Sequence, residues 1–171
     1  MARECTLKRF EFHPHFERKV EADFEGGTIT SHGGEVLSRE TERRTGILRR
    51  FAECFRDHRN PERIEHGVDT LVSQRVMGLA LGYEDLNDHD DLRRDPLLGL
   101  VAGKRDPEGR QRRRERDRGK ALAGKSTLNR LELSAETMEA DERYKKITWD
   151  AEAMDRLLVE MYIEARESEP P

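Results

Sequence analysis

The sequence predicts an α+β fold that is mostly α-helical and carries a small β-hairpin near its N-terminus. Apolar residues recur with a period of two between residues 7 and 30, which is typical of strands. Apolar stripes with helical spacing run through residues 67–82 and 148–166. Charged residues make up 40% of the 171 residues, so we expect much of the chain to be solvated helix face or irregular segment.

The N-terminal segment, residues 1–34, is predicted to be extended. A period of two joins Val20, Ala22 and Phe24. Gly26-Gly27 then indicates a turn, which would lead into a second short strand at residues 28–30. His13 and His15 flank a proline and give only a weak metal signal, so we interpret them as strand or turn residues.

Residues 35–103 are predicted to form a helical region. From Glu35 to about Arg56, one helical face carries Leu37, Leu48, Phe51, Ala52 and Phe55. Gly46 interrupts this helix or splits it in two. Residues 57–63 contain Asn-Pro and are predicted to be a loop. The strongest helix spans residues 67–82, where Gly82 is a C-terminal stop, and a short apolar helix covers residues 96–103.

The stretch LALGYEDLNDHDDLRRDP, residues 79–96, supports two interpretations of its carboxylates. A divalent cation could be held by them with help from Asn87 or His89; the acids are Glu84, Asp85, Asp88, Asp90, Asp91 and Asp95. The calcium-loop pattern D-x-[DN]-x-[DN]-G, however, fails at its fifth and sixth positions. Helix caps explain the spacing better, with Asp85 or Asn87 capping one short helix and Asp95 preceding the next. We therefore predict no metal site here.

The string GKALAGKS, residues 119–126, has the letters of a phosphate-binding loop. Such a loop must follow a buried strand and open a helix. The preceding RRRERDR cannot be a buried strand, so we predict no nucleotide site.

Residues 104–124 are predicted to form a basic loop. Residues 104–120 hold nine Lys or Arg against four Asp or Glu. On the residues alone, two alternatives stay open: a phosphate-contacting surface for DNA or RNA, or a solvated loop. The candidate DNA-binding residues are Arg110, Arg112, Arg113, Arg114, Arg116, Lys125 and Arg130. Sequence readout would need a helix in a groove, with Arg75, Asn129 or Arg130 pointing outward.

The C-terminal segment, residues 125–171, is predicted to be helical. A short helix at 125–133 would be capped by Ser126 or Thr127. The amphipathic helix at 148–166 carries an apolar face of Met154, Leu157, Leu158, Met161, Tyr162 and Ala165. Because no signal peptide or membrane span is recognisable and the two cysteines are far apart, we expect a cytoplasmic protein with free thiols.

Several strings resemble the N-terminal region of bacterial insertion-sequence transposases of the DDE type. They are HGGE at 32–35, the DHR-P loop at 57–61, QRVMGLALGYEDLNDHDDLRRDP at 74–96 and LAGKSTLNRLEL at 122–133. The matches extend over roughly residues 30–165, and the 79–96 block is the most specific of them.

This resemblance implies DNA binding and assembly at the ends of an insertion sequence, with self-association as a further partner class. In such transposases an RNase H-like core presents three carboxylates that hold Mg²⁺ or Mn²⁺ for strand cleavage and transfer. The first of these follows the C-terminal amphipathic helix, close to where this chain reaches Pro171. We therefore expect the catalytic core, its metal cofactors and catalysis to be absent from this chain alone. The alternative is a helical protein-interaction module without a DNA role.

Overall fold

The computed structural model describes residues 9–23, 32–137 and 146–167. Its strands are β1 (Arg9–His15), β2 (Arg18–Asp23), β3 (Phe55–Asp57) and β4 (Ile147–Trp149). Its α-helices are α1 (Glu35–Thr45), α2 (Ile47–Glu53), α3 (Val68–Ala80), α4 (His89–Leu92), α5 (Pro96–Val101), α6 (Lys125–Glu132) and α7 (Ala151–Glu167). The predicted α+β class with a small hairpin is confirmed. Over these ranges, no helix combines the length and apolarity needed to cross a membrane.

The N-terminal hairpin pairs β1 with β2 in antiparallel register, with Phe12 opposite Val20. The predicted strand through Val20 is therefore present, but its partner is the strand before it. The connecting turn lies at Phe16 and Glu17, where Phe16 adopts a positive φ of 52°. The predicted Gly26-Gly27 turn and the strand at 28–30 lie outside the described residues.

Gly46 splits the first helical region into α1 and α2, as predicted. Its φ of 64° ends α1 in the left-handed conformation, which glycine adopts at little cost. The Glu42 carboxylate then accepts hydrogen bonds from the backbone of Leu48 (2.7 Å) and Arg49 (3.2 Å), which starts α2. The prediction that Leu37 belongs to the apolar face is wrong, because 63% of this residue is exposed.

The hydrophobic core is built on both sides of α3. One cluster contains Leu48, Met77, Leu92, Leu98, Val101 and Leu122. The second cluster contains Ala52, Leu71, Val72, Leu128, Leu131 and Ile147. Burying a leucine or isoleucine side chain stabilises the fold by about 1.5–3 kcal/mol. Because α3 contributes to both clusters, it connects the N-terminal helices to the C-terminal ones.

The C-terminal segment adds a second antiparallel strand pair before its helix. Phe55 of β3 lies opposite Trp149 of β4, so the prediction that Phe55 continues a helix is wrong. For the same reason α7 begins at Ala151 and not at residue 148. Arg50 fixes α7 through the carboxylates of Glu160 (3.0 Å) and Glu164 (2.8 Å).

Two acids of residues 79–96, Asp85 and Asp95, cap short helices as predicted. Asp85 accepts from the backbone of Asn87 (2.8 Å), and Asp95 accepts from the backbone of Leu97 (2.7 Å) with Pro96 in the first helical position. The predicted Ser126 or Thr127 cap of α6 is wrong. Instead, Asp90 reaches across from α4 and accepts from the backbone N–H of Lys125 at 3.2 Å.

Close packing of α3 against α4 depends on Gly78. A Cβ atom at this position would lie 2.7 Å from Cε1 of His89, whose side chain is completely buried. We expect Gly78→Ala to lower the free energy of unfolding by about 1–3 kcal/mol, because the ring has no space to move into. Urea unfolding measures this change. Gly33→Ala is the control, since nothing lies within 4 Å of a Cβ there. Equal midpoints for both variants would contradict the packing argument.

Candidate nucleic-acid interface

The basic segment, defined here as residues 104–120, is closed at its base by backbone contacts. The N–H of Lys104 donates to the Gly99 carbonyl (2.9 Å), and the N–H of Gly119 donates to the Gly109 carbonyl (3.0 Å). Gly109 has a φ of 66°, and a Cβ there would lie 2.6 Å from the backbone of Ala121. Residues 110–118 therefore begin and end at one backbone contact and form a loop, called the projecting loop below, in which all residues except Arg112 and Asp117 are exposed.

The C-terminal end of the basic segment is held by a buried glutamine. Ala121, Leu122 and Ala123 are each only 1% exposed. The Gln74 side chain from α3 donates to the Ala123 carbonyl (2.8 Å) and accepts from the Ala123 N–H (3.0 Å). Its amide nitrogen also lies 3.1 Å from Nδ1 of His89. The loop therefore emerges from an ordered part of the core.

Four of the loop's arginines point into solvent. The side chains of Arg110 and Arg116 are 76% and 74% exposed, and they lie beside Glu108 (2.8 Å) and Asp117 (3.8 Å) respectively. Arg114 and Arg118 are exposed as well. Within the ranges that the structure describes, neither of these two forms an ion pair. Exposed guanidinium groups on a loop with a fixed base can approach a polyanion without large rearrangement.

Arg112 faces the other way, toward the loop that precedes α3. Its side chain is 14% exposed, and it donates to the carboxylate of Glu65 and to Nε2 of His66, both at 3.0 Å. Burial, followed by the nearby charges of Lys104 and Arg112, lowers the pKa of His66 to about 3, so its ring stays neutral and can accept this bond. Arg113 donates to the Glu62 carbonyl at 3.3 Å. These contacts attach the basic segment to residues 62–66.

Helix α6 carries the remaining candidates. Nζ of Lys125 donates to the side-chain oxygen of Asn87 (2.9 Å) and lies 3.8 Å from the Asp90 carboxylate. Asn129 and Arg130 are exposed on the same helix. The structure therefore places Lys125 and Arg130 on α6 and not on the loop.

The prediction that Arg75 points outward is wrong. Its side chain is only 12% exposed, and it donates to the carbonyls of Tyr83 (3.0 Å) and Glu84 (2.8 Å). It also forms an ion pair with Glu132 of α6. All of these acceptors lie where α3 ends and α6 passes, so Arg75 joins the two helices and is not available to a DNA groove.

The string GKALAGKS is not set in the strand–loop–helix arrangement of a nucleotide site. The residues before it belong to the projecting loop, and its central Ala121-Leu122-Ala123 is buried in the core. Its lysine, Lys125, is directed toward Asn87 and Asp90. A lysine held by these groups does not reach over a phosphate bound at its own loop.

A separate polar cluster joins the HGGE string to residues 83–95. His32 bonds the Asp95 carboxylate through Nδ1 (2.6 Å) and the Tyr83 hydroxyl through Nε2 (2.8 Å). Glu35 is 2% exposed and its carboxylate has no hydrogen-bond partner in the described ranges. Burial, and to a lesser degree the charge of Asp95, raises the pKa of Glu35 to about 7. Nowhere in residues 9–23, 32–137 and 146–167 do three or more acid, histidine or cysteine side chains group as metal ligands.

Lys104 and Arg105 were not predicted individually as binding residues, although both make contacts in this region. Nζ of Lys104 lies 3.4 Å from the Glu65 carbonyl, and the guanidinium of Arg105 lies 5.1 Å from the ring centre of Phe16. Both partners are distant in sequence, so only the local charge count of the basic run pointed to this region. The N-terminal hairpin also contacts the start of the basic segment, since Nε2 of His15 donates to the Lys104 carbonyl at 2.8 Å.

These features describe a mostly helical α+β protein with an arginine-rich loop fixed to its core. Among protein-family models, the one described as transposase DDE domain group 1 matches residues 12–171. The chain belongs to this family of transposase DDE domains, as its resemblance at residues 74–96 suggested. Comparison with curated proteins and with solved structures gave no match.

The buried Glu35 is expected to make stability depend on pH. Its pKa is about 7 in the folded chain against 4.5 as the ordinary value, so the folded state holds the proton more tightly. Stability should therefore fall as pH rises from about 4.5 to about 7, and then level off. Glu35→Gln should remove this loss and raise the free energy of unfolding at pH 8 by roughly 3 kcal/mol at most.

Urea unfolding at pH 5 and pH 8 measures the effect of Glu35→Gln. Glu53→Gln, at an exposed position of α2, is the matched control and should leave the pH dependence of the wild type in place. A Glu35→Gln protein with the same pH dependence as the wild type would show that this carboxyl does not titrate as its burial requires.

Proposed function

We propose that this chain binds DNA at the ends of an insertion sequence and helps to assemble the protein–DNA complex of transposition in the cytoplasm. The observation that carries this proposal is the projecting loop, whose exposed arginines sit on a base fixed to the core. Membership of the transposase DDE domain family supports DNA as the partner. Both lines of support are independent, because the family match does not depend on the direction of the arginine side chains.

In this proposal the loop contacts phosphates and α6 is the candidate reading element. Cationic loops give affinity without sequence information, since phosphates are the same at every base pair. The exposed Asn129 and Arg130 of α6 are of the types that bond adenine and guanine edges. Arg110, Arg113, Arg114, Arg116, Arg118 and Lys125 are assigned to phosphates, and Arg112 is assigned mainly to holding the loop against Glu65 and His66.

We also propose that the acids of residues 84–95 do not perform phosphodiester chemistry. Asp85 and Asp95 cap helices, and Asp90 caps α6 from outside it. Carboxylates that hold two catalytic cations need free oxygens directed at a common point. In this proposal, the Mg²⁺ or Mn²⁺ that transposases of this family use is held by other carboxylates and not by these acids.

Binding to duplex DNA should weaken steeply as salt rises. Each neutralised phosphate contributes about −0.9 to the slope of log K against log salt. The double variant Arg114→Gln and Arg118→Gln should bind more weakly and reduce that slope by about 1.8, because two exposed cations are removed. Fluorescence anisotropy with a labelled 30-base-pair duplex, repeated from low to physiological salt, gives both quantities.

Arg156→Gln is the control for loss of a positive charge outside the loop, since Arg156 is exposed on α7 and pairs with Glu152. It should keep the wild-type slope. Affinity that hardly changes with salt would refute phosphate contact. Nicking of supercoiled plasmid by this chain in Mg²⁺ or Mn²⁺ would refute the assignment of chemistry to other carboxylates.

A second candidate function, a protein-interaction module, is favoured by one face of α7. Leu158, Val159, Tyr162 and Ile163 are 48–67% exposed, although they are large and apolar. Leu157, on the opposite side, is the buried contact of this helix. The predicted apolar face of residues 148–166 is therefore divided between the core and solvent. An exposed apolar stripe of this kind marks interaction surfaces.

The charges on this stripe favour a second copy of the chain as its occupant. Asp155, Val159, Tyr162 and Arg166 follow one another at spacings of four, three and four, as in a coiled-coil seam. The seam begins with an acid and ends with a base. An antiparallel pair of α7 helices would place Asp155 of each copy beside Arg166 of the other, and Val159 beside Tyr162. A parallel pair would place like charges together.

Self-association through α7 is tested by a charge swap. The wild type should show a concentration-dependent dimer in sedimentation equilibrium. Asp155→Arg should weaken the dimer because two bases then meet, and adding Arg166→Asp should restore it because the pairing is reversed. A strictly monomeric wild type, or a double variant no better than Asp155→Arg, would exclude the antiparallel pair.

A further inference from the structure

A cavity of about 390 Å³ lies where the basic segment meets residues 64–65. Four cationic side chains line it, namely Lys104, Arg105, Arg112 and Arg113. Two acids, Glu65 and Asp106, line it as well. The formal charge of the lining is therefore positive, with four bases against two acids. The other residues that line the cavity, Ile64, Gln111 and Ala121, are uncharged.

Both acids of this cavity are already bonded to protein donors. The Glu65 carboxylate accepts from Arg112 at 3.0 Å. The Asp106 carboxylate accepts from the backbone N–H of Gln111 at 2.7 Å. Their capacity to neutralise the remaining bases is correspondingly reduced, since each is directed at one donor.

The bases are held in place before any ligand arrives. Lys104 is anchored at both ends, by His15 on its carbonyl (2.8 Å) and by the Glu65 carbonyl near Nζ (3.4 Å). Arg105 stacks over Phe16 of the hairpin turn, and Arg113 donates to the Glu62 carbonyl. Binding therefore costs little side-chain entropy, which is the usual loss when flexible lysines and arginines close on an anion.

Burial is the main cause that lowers the pKa of Lys104 and of the nearby His66, and neighbouring bases add to it. Burial, and next the charge of Arg112, lowers the pKa of Lys104 in spite of nearby carboxylates. Burial, and next the charges of Lys104 and Arg112, lowers the pKa of His66. Crowded bases of this kind repel one another until an anion lies between them.

We propose that this cavity is a binding pocket for one phosphodiester group of the DNA backbone, with Lys104 as its central contact. This inference rests on the proposed DNA binding and adds a specific phosphate position to it. The pocket lies at the base of the projecting loop, so a strand that enters it passes the exposed arginines. It fixes the position of the chain along the backbone and does not read bases.

Two variants of the full chain, which should change the affinity for DNA in opposite directions, test the pocket. Lys104→Gln should weaken binding of the labelled 30-base-pair duplex and reduce the salt slope by about 0.9, as expected for one phosphate. Asp106→Asn removes an acid but keeps an oxygen that can accept from Gln111, so it should tighten binding several-fold. A gain of affinity cannot come from misfolding. Lys19→Gln, on the exposed hairpin, is the charge-matched control and should leave the slope unchanged.

The outcomes separate this inference from the proposed function. If Arg114→Gln with Arg118→Gln lowers the slope while Lys104→Gln and Asp106→Asn leave affinity unchanged, the pocket is refuted and DNA binding stands. If the wild type shows no salt-dependent binding, both fail. A thermal shift compares inorganic phosphate with chloride at equal ionic strength. Stabilisation by phosphate that Lys104→Gln abolishes, without any effect of that variant on DNA, would identify free phosphate as the ligand and overturn the proposal.

Discussion

The completely buried side-chain amide of Gln74 bonds both backbone groups of Ala123 and lies against the ring of His89. It thereby joins α3, α4 and the segment that follows the projecting loop. Loss of this amide would leave the N–H and carbonyl of Ala123 unpaired in the core, at a cost of about 1–3 kcal/mol for each group. The exposed arginines depend on it because their loop returns to the core at Ala121–Ala123.

The close packing around Gln74 and His89 also accounts for two neighbouring residues of the 74–96 block, Gly78 and Asp90. Gly78 has no Cβ because the ring of His89 occupies that space. Asp90 lies one residue beyond His89 and caps α6, while a Cβ at Gly124 would lie 2.7 Å from its carboxylate. These residues form one interlocked contact between α3, α4 and α6. The block that carries the resemblance to the family therefore supplies the α3 and α4 sides of this contact.

Sequence patterns predicted the elements that depend on local interactions. The split at Gly46, the caps at Asp85 and Asp95, and the extent of α3 all follow from neighbours within a few residues. The predictions for Arg75 and for the α6 cap were wrong because both depend on distant partners. Glu132 lies 57 residues from Arg75, and Asp90 lies 35 residues from Lys125. Leu37 was wrong because an apolar spacing does not say which face of α1 meets the core. The cavity at Lys104 was missed because its lining combines two segments that are distant in sequence, residues 64–65 and residues 104–121.

The arginines of the basic segment fall into two groups that the count of charges alone does not distinguish. Arg112 and Arg113 are directed at residues 62–66, whereas Arg110, Arg114, Arg116 and Arg118 extend into solvent. A loop with all of its bases in solvent would repel itself and sample many conformations. Holding some of them against Glu65 and the Glu62 carbonyl limits that freedom, so the outer arginines remain close to one another. A polyanion that binds them then meets a surface already ordered by the inner ones.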